Sequence, residues 1–239
     1  MRDIQELISK SKKYKNYVIQ KKFYSKKNTV AYVTIDDKPR VLKWFAPGFK
    51  KRMETEYNIL KKSSSKINIP SVHGIDEKNN VIIMNYIPGK NLCDIVNDKG
   101  IDLTEKKELI ASLAKWFFDF HKFFKTGGNY YIRGDSNLRN FIFNDRIWGV
   151  DFEESRIGKP AEDIAGLCSS ILITDPMFTS EKFVLCNFFI ESYSIFDLEV
   201  NNNINNEISY ALLEKIQYRP NDEEILRKYS KKIREEGLI

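Results

Sequence analysis

The hydrophobic positions of the chain change period along its length. From Tyr17 to Phe45 they form three short stretches rich in β-branched and aromatic residues, YVIQKK, TVAYVTI and RVLKWF, which predict a meander of strands. Asp36-Asp37-Lys38-Pro39 supplies turn chemistry between the second and third. After Pro47-Gly48 the spacing turns helical: Met53, Tyr57 and Leu60 share a face of RMETEYNILKK, and Ser63-Ser64-Ser65 ends it. Two apolar runs, around Ile69 to Ile75 and VIIMNYI from Val81, flank Asp76-Glu77-Lys78-Asn79-Asn80 and read as a hairpin leading to Pro88-Gly89.

Beyond that point helices dominate. Leu92 to Asn97 is short, and the run from Glu108, ELIASLAKWFFDFHKFF, is apolar on most sides and stops at Gly127-Gly128. Its aromatic residues, Trp116 to Phe124, read as core, and His121 as a satisfied core or turn residue. FIF and IWGVDF flank Asn144-Asp145 as a small hairpin, helices resume near Ala161, and NNNINN from Asn201 reads as a polar linker. A β-rich first third with one helix followed by a helical remainder is an α+β order.

Composition narrows the class. With 42% hydrophobic and 30% charged residues among 239, the chain is a globular protein of one domain or two small lobes. The start, MRDIQELISKSKKYK, has no apolar stretch behind its charges, and no run is long enough to span a bilayer, which gives a cytoplasmic expectation. Cys93, Cys168 and Cys186 are odd in number and far apart, so neither a disulfide framework nor a zinc site is suggested. The formal charge of +6 is uneven. Through Lys62 there are 17 basic against 6 acidic residues, and 22 against 27 follow, so the front of the chain suits phosphates, nucleic acid or an anionic surface.

Chemistry concentrates between Ile132 and Gly166. Asn140 lies five positions after Asp135, and Asp151 eleven further, at the end of an apolar strand. A carboxylate free to orient a hydroxyl, beside oxygen ligands for a hard cation, is a phosphoryl-transfer arrangement.

These residues resemble the protein-kinase-like superfamily, whose catalytic loop reads H-x-D-x-x-x-x-N and is followed by a metal-binding Asp. The resemblance covers roughly Tyr17 to Cys186. It implies a bilobal fold, with a β-rich nucleotide-binding lobe at 1–87 and a mainly helical lobe at 88–239. Lys43 would be the strand lysine that grips the ATP phosphates, with Glu56 its partner on the following helix. Backbone groups of Asn85 and Ile87 would meet adenine. Asp135 would be the catalytic base, Asn140 and Asp151 the ligands of Mg²⁺ or Mn²⁺, and Arg133 and Asp163 the support of the catalytic loop.

Asp163 follows Asp151 by only twelve positions, which leaves no room for the long segment that docks peptides in regulated protein kinases. The phrase DFEESRIGKPAEDIAGL is similar instead to the aminoglycoside phosphotransferase and choline kinase branch, with a small hydroxyl-bearing acceptor. Compact atypical protein kinases of the RIO and KEOPS kind, lipopolysaccharide sugar kinases and nucleotide-binding pseudokinases are the alternatives. The chain departs from the pattern in three places. KKFYSKKNT has no glycine, which leaves Lys21, Lys22, Ser25, Lys26 and Lys27 to meet phosphates; Arg133 replaces the histidine; Glu153 replaces the glycine of D-F-G.

Overall fold

The computed structural model describes residues 17–23, 25, 27–62, 66–196 and 203–238. The segment MRDIQELISKSKKYK, Lys26, the Ser63–Ser65 run and the first two residues of NNNINN lie outside the described residues. Two compact units emerge, one holding residues 17–62, Ile69–Pro88 and Val150–Glu154, the other Lys66–Asn68, Gly89–Gly149 and the described residues from Ser155 onward.

In the first unit β1 (Tyr17–Phe23), β2 (Thr29–Ile35), β3 (Lys38–Trp44), β4 (Val72–Asp76) and β5 (Val81–Asn85) form an antiparallel sheet in the order β1-β2-β3-β5-β4. Alternation along β2 puts Ala31 and Val33 into a core with Leu42, Trp44 and Val81. The β2–β3 turn is tighter than the sequence suggests. Only Asp36 and Asp37 form it, with φ of 47° and 60°, the left-handed pair a two-residue hairpin needs, and Pro39 is already paired with Thr34. β1 likewise runs on through Lys21 and Lys22, which pair with Tyr32 and Ala31, so the strand takes in the first part of the glycine-free stretch as far as Phe23. α1 (Lys50–Lys61) buries Met53, Glu56, Ile59 and Leu60 along one stripe and leaves Tyr57 half-buried.

The second unit is built on α3 (Leu103–Phe124), preceded by β6 (Lys90–Asn91) and α2 (Leu92–Asn97). α3 begins a turn and a half before Glu108 because the Asp102 side chain caps it, accepting from Glu105 N at 2.9 Å. Ile110, Leu113, Trp116, Phe117, Phe120 and Phe124 are buried along it. β7 (Tyr131–Ile132) pairs with β10 (Arg156–Ile157), while β8 (Phe141–Phe143) and β9 (Ile147–Gly149) complete a three-stranded sheet with β6. β9 ends two residues before Asp151, whose φ of 65° turns the chain sharply there. Gly149 is required by packing, because a Cβ on it would come within 2.3 Å of the Trp116 ring.

Among the described residues four further α-helices follow: α4 (Pro160–Leu172), α5 (Ser180–Ser194), α6 (Ile204–Glu214) and α7 (Glu223–Glu236). α4 opens with proline at its first position, and the Glu162 side chain accepts from Lys159 N at 2.8 Å. The expected polar linker is in part the start of α6. Ile204, Ile208 and Leu212 form a buried stripe at a spacing of four, which overrides the asparagine-rich composition around it. Among the described residues no helix is long and apolar enough to cross a membrane.

Candidate active site

β3 ends in consecutive buried residues, and Lys43 is one of them. Its Nζ lies 2.6 Å from Glu56 Oε2, 2.7 Å from Asp151 Oδ1 and 3.0 Å from Glu153 Oε2. Burial alone would lower the lysine's pKa, but Glu56, Asp151 and Glu153 together hold it above the ordinary value. Glu56 feels the reverse balance. Burial pushes its carboxyl up to about 7 against the pull of Lys43, and the neighbouring Asp151 and Glu153 charges add to the rise. Of the two glutamates near this point of α1, Glu56 is buried and Glu54 exposed, so only Glu56 reaches Lys43.

The first unit therefore brings together Lys43, Glu56 and Asp151, and adds Glu153. Ligand oxygens of Glu56, Asp151 and Glu153 lie within 4.8 Å of one another. An all-oxygen donor set suits a hard cation such as Mg²⁺. On the same unit Asn85 ends β5, where its N donates to Ser71 O at 2.9 Å and its Oδ1 accepts from Arg40 Nη1 at 3.2 Å. Ile87 lies two residues beyond, half-buried. The adjacent Tyr86 ring stacks on Tyr32 with centroids 4.0 Å apart.

In the second unit the stretch from Arg133 to Asn140 is shaped by one buried carboxylate. Asp163 Oδ2 accepts from Arg133 N at 2.7 Å, and Oδ1 accepts from Gly134 N at 3.0 Å and Ser136 Oγ at 2.7 Å. His121 Nε2 meets Oδ2 at 3.0 Å, and its Nδ1 lies 2.9 Å from the Tyr193 hydroxyl. Burial alone would raise the Asp163 carboxyl, but the bonds from His121, Arg133 N and Ser136 hold it below the ordinary carboxylate value. Arg133 is fully buried, its guanidinium carbon 4.6 Å from the centre of the Phe141 ring. Gly134, at φ 77°, provides the left-handed turn that aims both backbone N–H groups at Asp163.

This scaffold presents Asp135, half-buried, with Asn140 Nδ2 3.2 Å from its Oδ2. The bond uses the amide nitrogen of Asn140; its Oδ1 is the atom a hard cation takes. Asn137 turns the chain between them, its Oδ1 accepting from Arg139 N at 3.0 Å.

No protein-family model matches the chain, and no curated protein matches it. Solved structures do. Aminoglycoside phosphotransferase APH(4)-Ia superposes with a TM-score of 0.66 at 10% identity, over 95% of this chain and 95% of that one. The fold is protein-kinase-like. A thermostable mutant of APH(4)-Ia in a ternary complex with ADP and hygromycin B superposes with a TM-score of 0.63 at 11% identity, over 95% of this chain and 96% of the other. The gentamicin complex of APH(2'')-IIa gives 0.62 at 16%, over 95% and 93%. At these identities the kinase-like likeness is one of fold.

The sequence reading of His121 as a satisfied core residue holds but names no partner for it, and Ser136 and Asn28 go unmarked. His121 and Ser136 bind Asp163 from 42 and 27 positions away, and Asn28 binds Glu153 from 125. For His121 one signal exists, a lone polar ring on the otherwise apolar face of α3, which must find a partner when buried. Nothing local marks Asn28.

Proposed function

We propose that this chain is an ATP-dependent phosphotransferase that moves the γ-phosphoryl group to a hydroxyl of a small molecule. The observation that carries the reading is the Lys43 cluster, a buried ammonium held by a helix glutamate and by the aspartate after β9, on a kinase-like fold. The named neighbours add support, since one was solved with ADP and hygromycin B and another with gentamicin, both small molecules. The small-acceptor reading also draws on the span from Asp151 to Asp163. Arg156 and Ile157 are paired into a strand there and α4 starts at Pro160, so no extended peptide-docking segment fits.

In this mechanism Lys43, oriented by Glu56, grips the α- and β-phosphates, and backbone groups of Asn85 and Ile87 meet the adenine edge. Asn140 and Asp151 would hold Mg²⁺ or Mn²⁺, which supplies charge neutralisation at the phosphate oxygens. Asp135 orients the acceptor hydroxyl and takes its proton, and Asn140 Nδ2 fixes which oxygen of that carboxylate faces the substrate. Asp163, Ser136 and His121 hold the loop that carries Asp135 and Asn140.

The test is ³¹P NMR of the protein with ATP and Mg²⁺ and pools of hydroxylated amines, sugars and amino alcohols. A new phosphomonoester resonance growing with ADP, and absent in Asp151→Ala, supports the reading. ADP and ATP that bind with no transfer to any pool would instead make the chain a nucleotide-binding protein without turnover.

A further inference from the structure

The two residues after Phe152 are glutamates, and both reach the short glycine-free loop between β1 and β2. Glu153 is 8% exposed, and its Oε2, already 3.0 Å from Lys43 Nζ, also accepts from Asn28 Nδ2. Asn28 is equally buried, and its other amide atom, Oδ1, accepts from Ala46 N at 3.4 Å just past β3. Its backbone N is held by Ser25 Oγ at 3.2 Å. Outside this buried layer lies an exposed one. Glu154 Oε1 takes Lys27 Nζ at 3.2 Å and also Arg52 Nη1 from α1, which in turn lies 3.4 Å from Glu153 Oε1.

A glycine-rich loop brings backbone N–H groups close to phosphates because nothing projects from it. Without glycine, Ser25, Lys27 and Asn28 must work through side chains, and these need to be held where they are useful. The buried layer does this with a carboxylate that faces an amide donor on the loop and the phosphate-gripping lysine at once. The exposed layer is of a kind that exchanges readily, since solvent-screened ion pairs contribute little, so a phosphate can take Lys27 and Arg52 from Glu154 while Asn28 stays on Glu153.

We propose that Glu153 is a positioning residue that fixes the glycine-free loop through Asn28, and that nucleotide-phosphate affinity in this chain depends on that bond. The proposal rests on the ATP reading above for its functional half only, and the experiment separates the two halves. Amide hydrogen exchange at Lys27 to Thr29 is measured in ligand-free wild type, Asn28→Asp, and the double variant Asn28→Asp with Glu153→Gln. MgADP titration calorimetry is run on the same proteins.

Asn28→Asp sets two carboxylates against each other, so exchange at those amides should rise about tenfold and MgADP affinity should fall about tenfold. The double variant restores a donor and an acceptor with roles reversed, and both values should return to within about threefold of wild type. Asn28→Ala removes the bond without adding charge; it should move both readouts the same way and replaces Asn28→Asp if that variant does not fold. Unchanged exchange in the single variants, or no recovery in the double, overturns the proposal. Wild type that binds no MgADP overturns the ATP reading, and the ligand-free exchange rates then decide the loop contact alone.

Discussion

Around Lys43 three carboxylates share one ammonium, whereas around Asp163 one carboxylate collects four donors, from His121, Ser136 and two backbone amides. Both clusters are buried at their centres, yet their acids respond oppositely. Glu56 is pushed up to about 7 by burial and neighbouring charge, while Asp163 is held below the ordinary carboxylate value. A carboxylate with its donors complete is a structural anchor. A lysine with surplus carboxylates around it leaves net negative charge, which a hard cation can offset. On the proposed function, the cluster that holds the Asp135 loop would be separate from the one that meets the nucleotide.

The most damaging single change should be to the complete cluster. Asp163→Ala strands buried donors and should cost about 3–5 kcal/mol of unfolding free energy, read from urea denaturation. Glu56→Gln keeps a hydrogen-bonding atom toward Lys43 and relieves surplus charge, so its cost should stay within about 1.5 kcal/mol. Equal losses would erase the distinction between anchor and reactive cluster. Function should reverse the ranking: Lys43→Arg keeps a positive charge among Glu56, Asp151 and Glu153 and should keep the fold, yet lower phosphotransfer by about 10²–10³-fold, a value set by steady-state kinetics once an acceptor is found.

Acid titration sharpens the contrast further, because the two clusters give opposite slopes. Asp163 has a lower pKa folded than unfolded, so its stability term is present above the ordinary carboxylate value of 3.8 and is lost as pH falls through the depressed folded value. Glu56 has a higher pKa folded than unfolded, so the folded state keeps the extra proton and stability declines as pH rises from 4.5 to about 7. Urea midpoints across pH 4.5–7.5 should therefore fall less steeply with rising pH in Glu56→Gln than in wild type. An identical slope in the two proteins would mean that Glu56 does not carry that proton.

Much of this was readable from local pattern. Glu56 stands three residues after Met53 and four before Leu60, so the helical period puts it on the buried face and leaves Glu54 outside. Lys43 is picked out by the resemblance of Val41-Leu42-Lys43 to a kinase-like strand, and Asp135, Asn140 and Asp151 by their spacing taken together with that resemblance. What the pattern does not carry is pairing across long separations. Asn28 with Glu153 and Lys27 with Glu154 lie 125 and 127 positions apart and are joined only by tertiary structure. The start of α6 was hidden for another reason, since three apolar residues four apart are outvoted by asparagines in any compositional reading. The smallest expected effect tests the helical-face argument: Glu54→Gln, on an exposed residue 3.9 Å from Lys50, should change stability by less than about 0.5 kcal/mol and leave activity unaltered. A large effect would put the wrong glutamate in the cluster.

Phosphoryl transfer to a small molecule with Asp135 as the base can be followed with γ-labelled ATP, Mg²⁺ and a protein-free metabolite extract, wild type beside Asp135→Asn. Label should enter an acid-stable small-molecule phosphate with wild type and about 10²–10⁴-fold less of it with the variant. Equal transfer by both proteins, or nucleotide binding with no labelled metabolite, would contradict the proposed function.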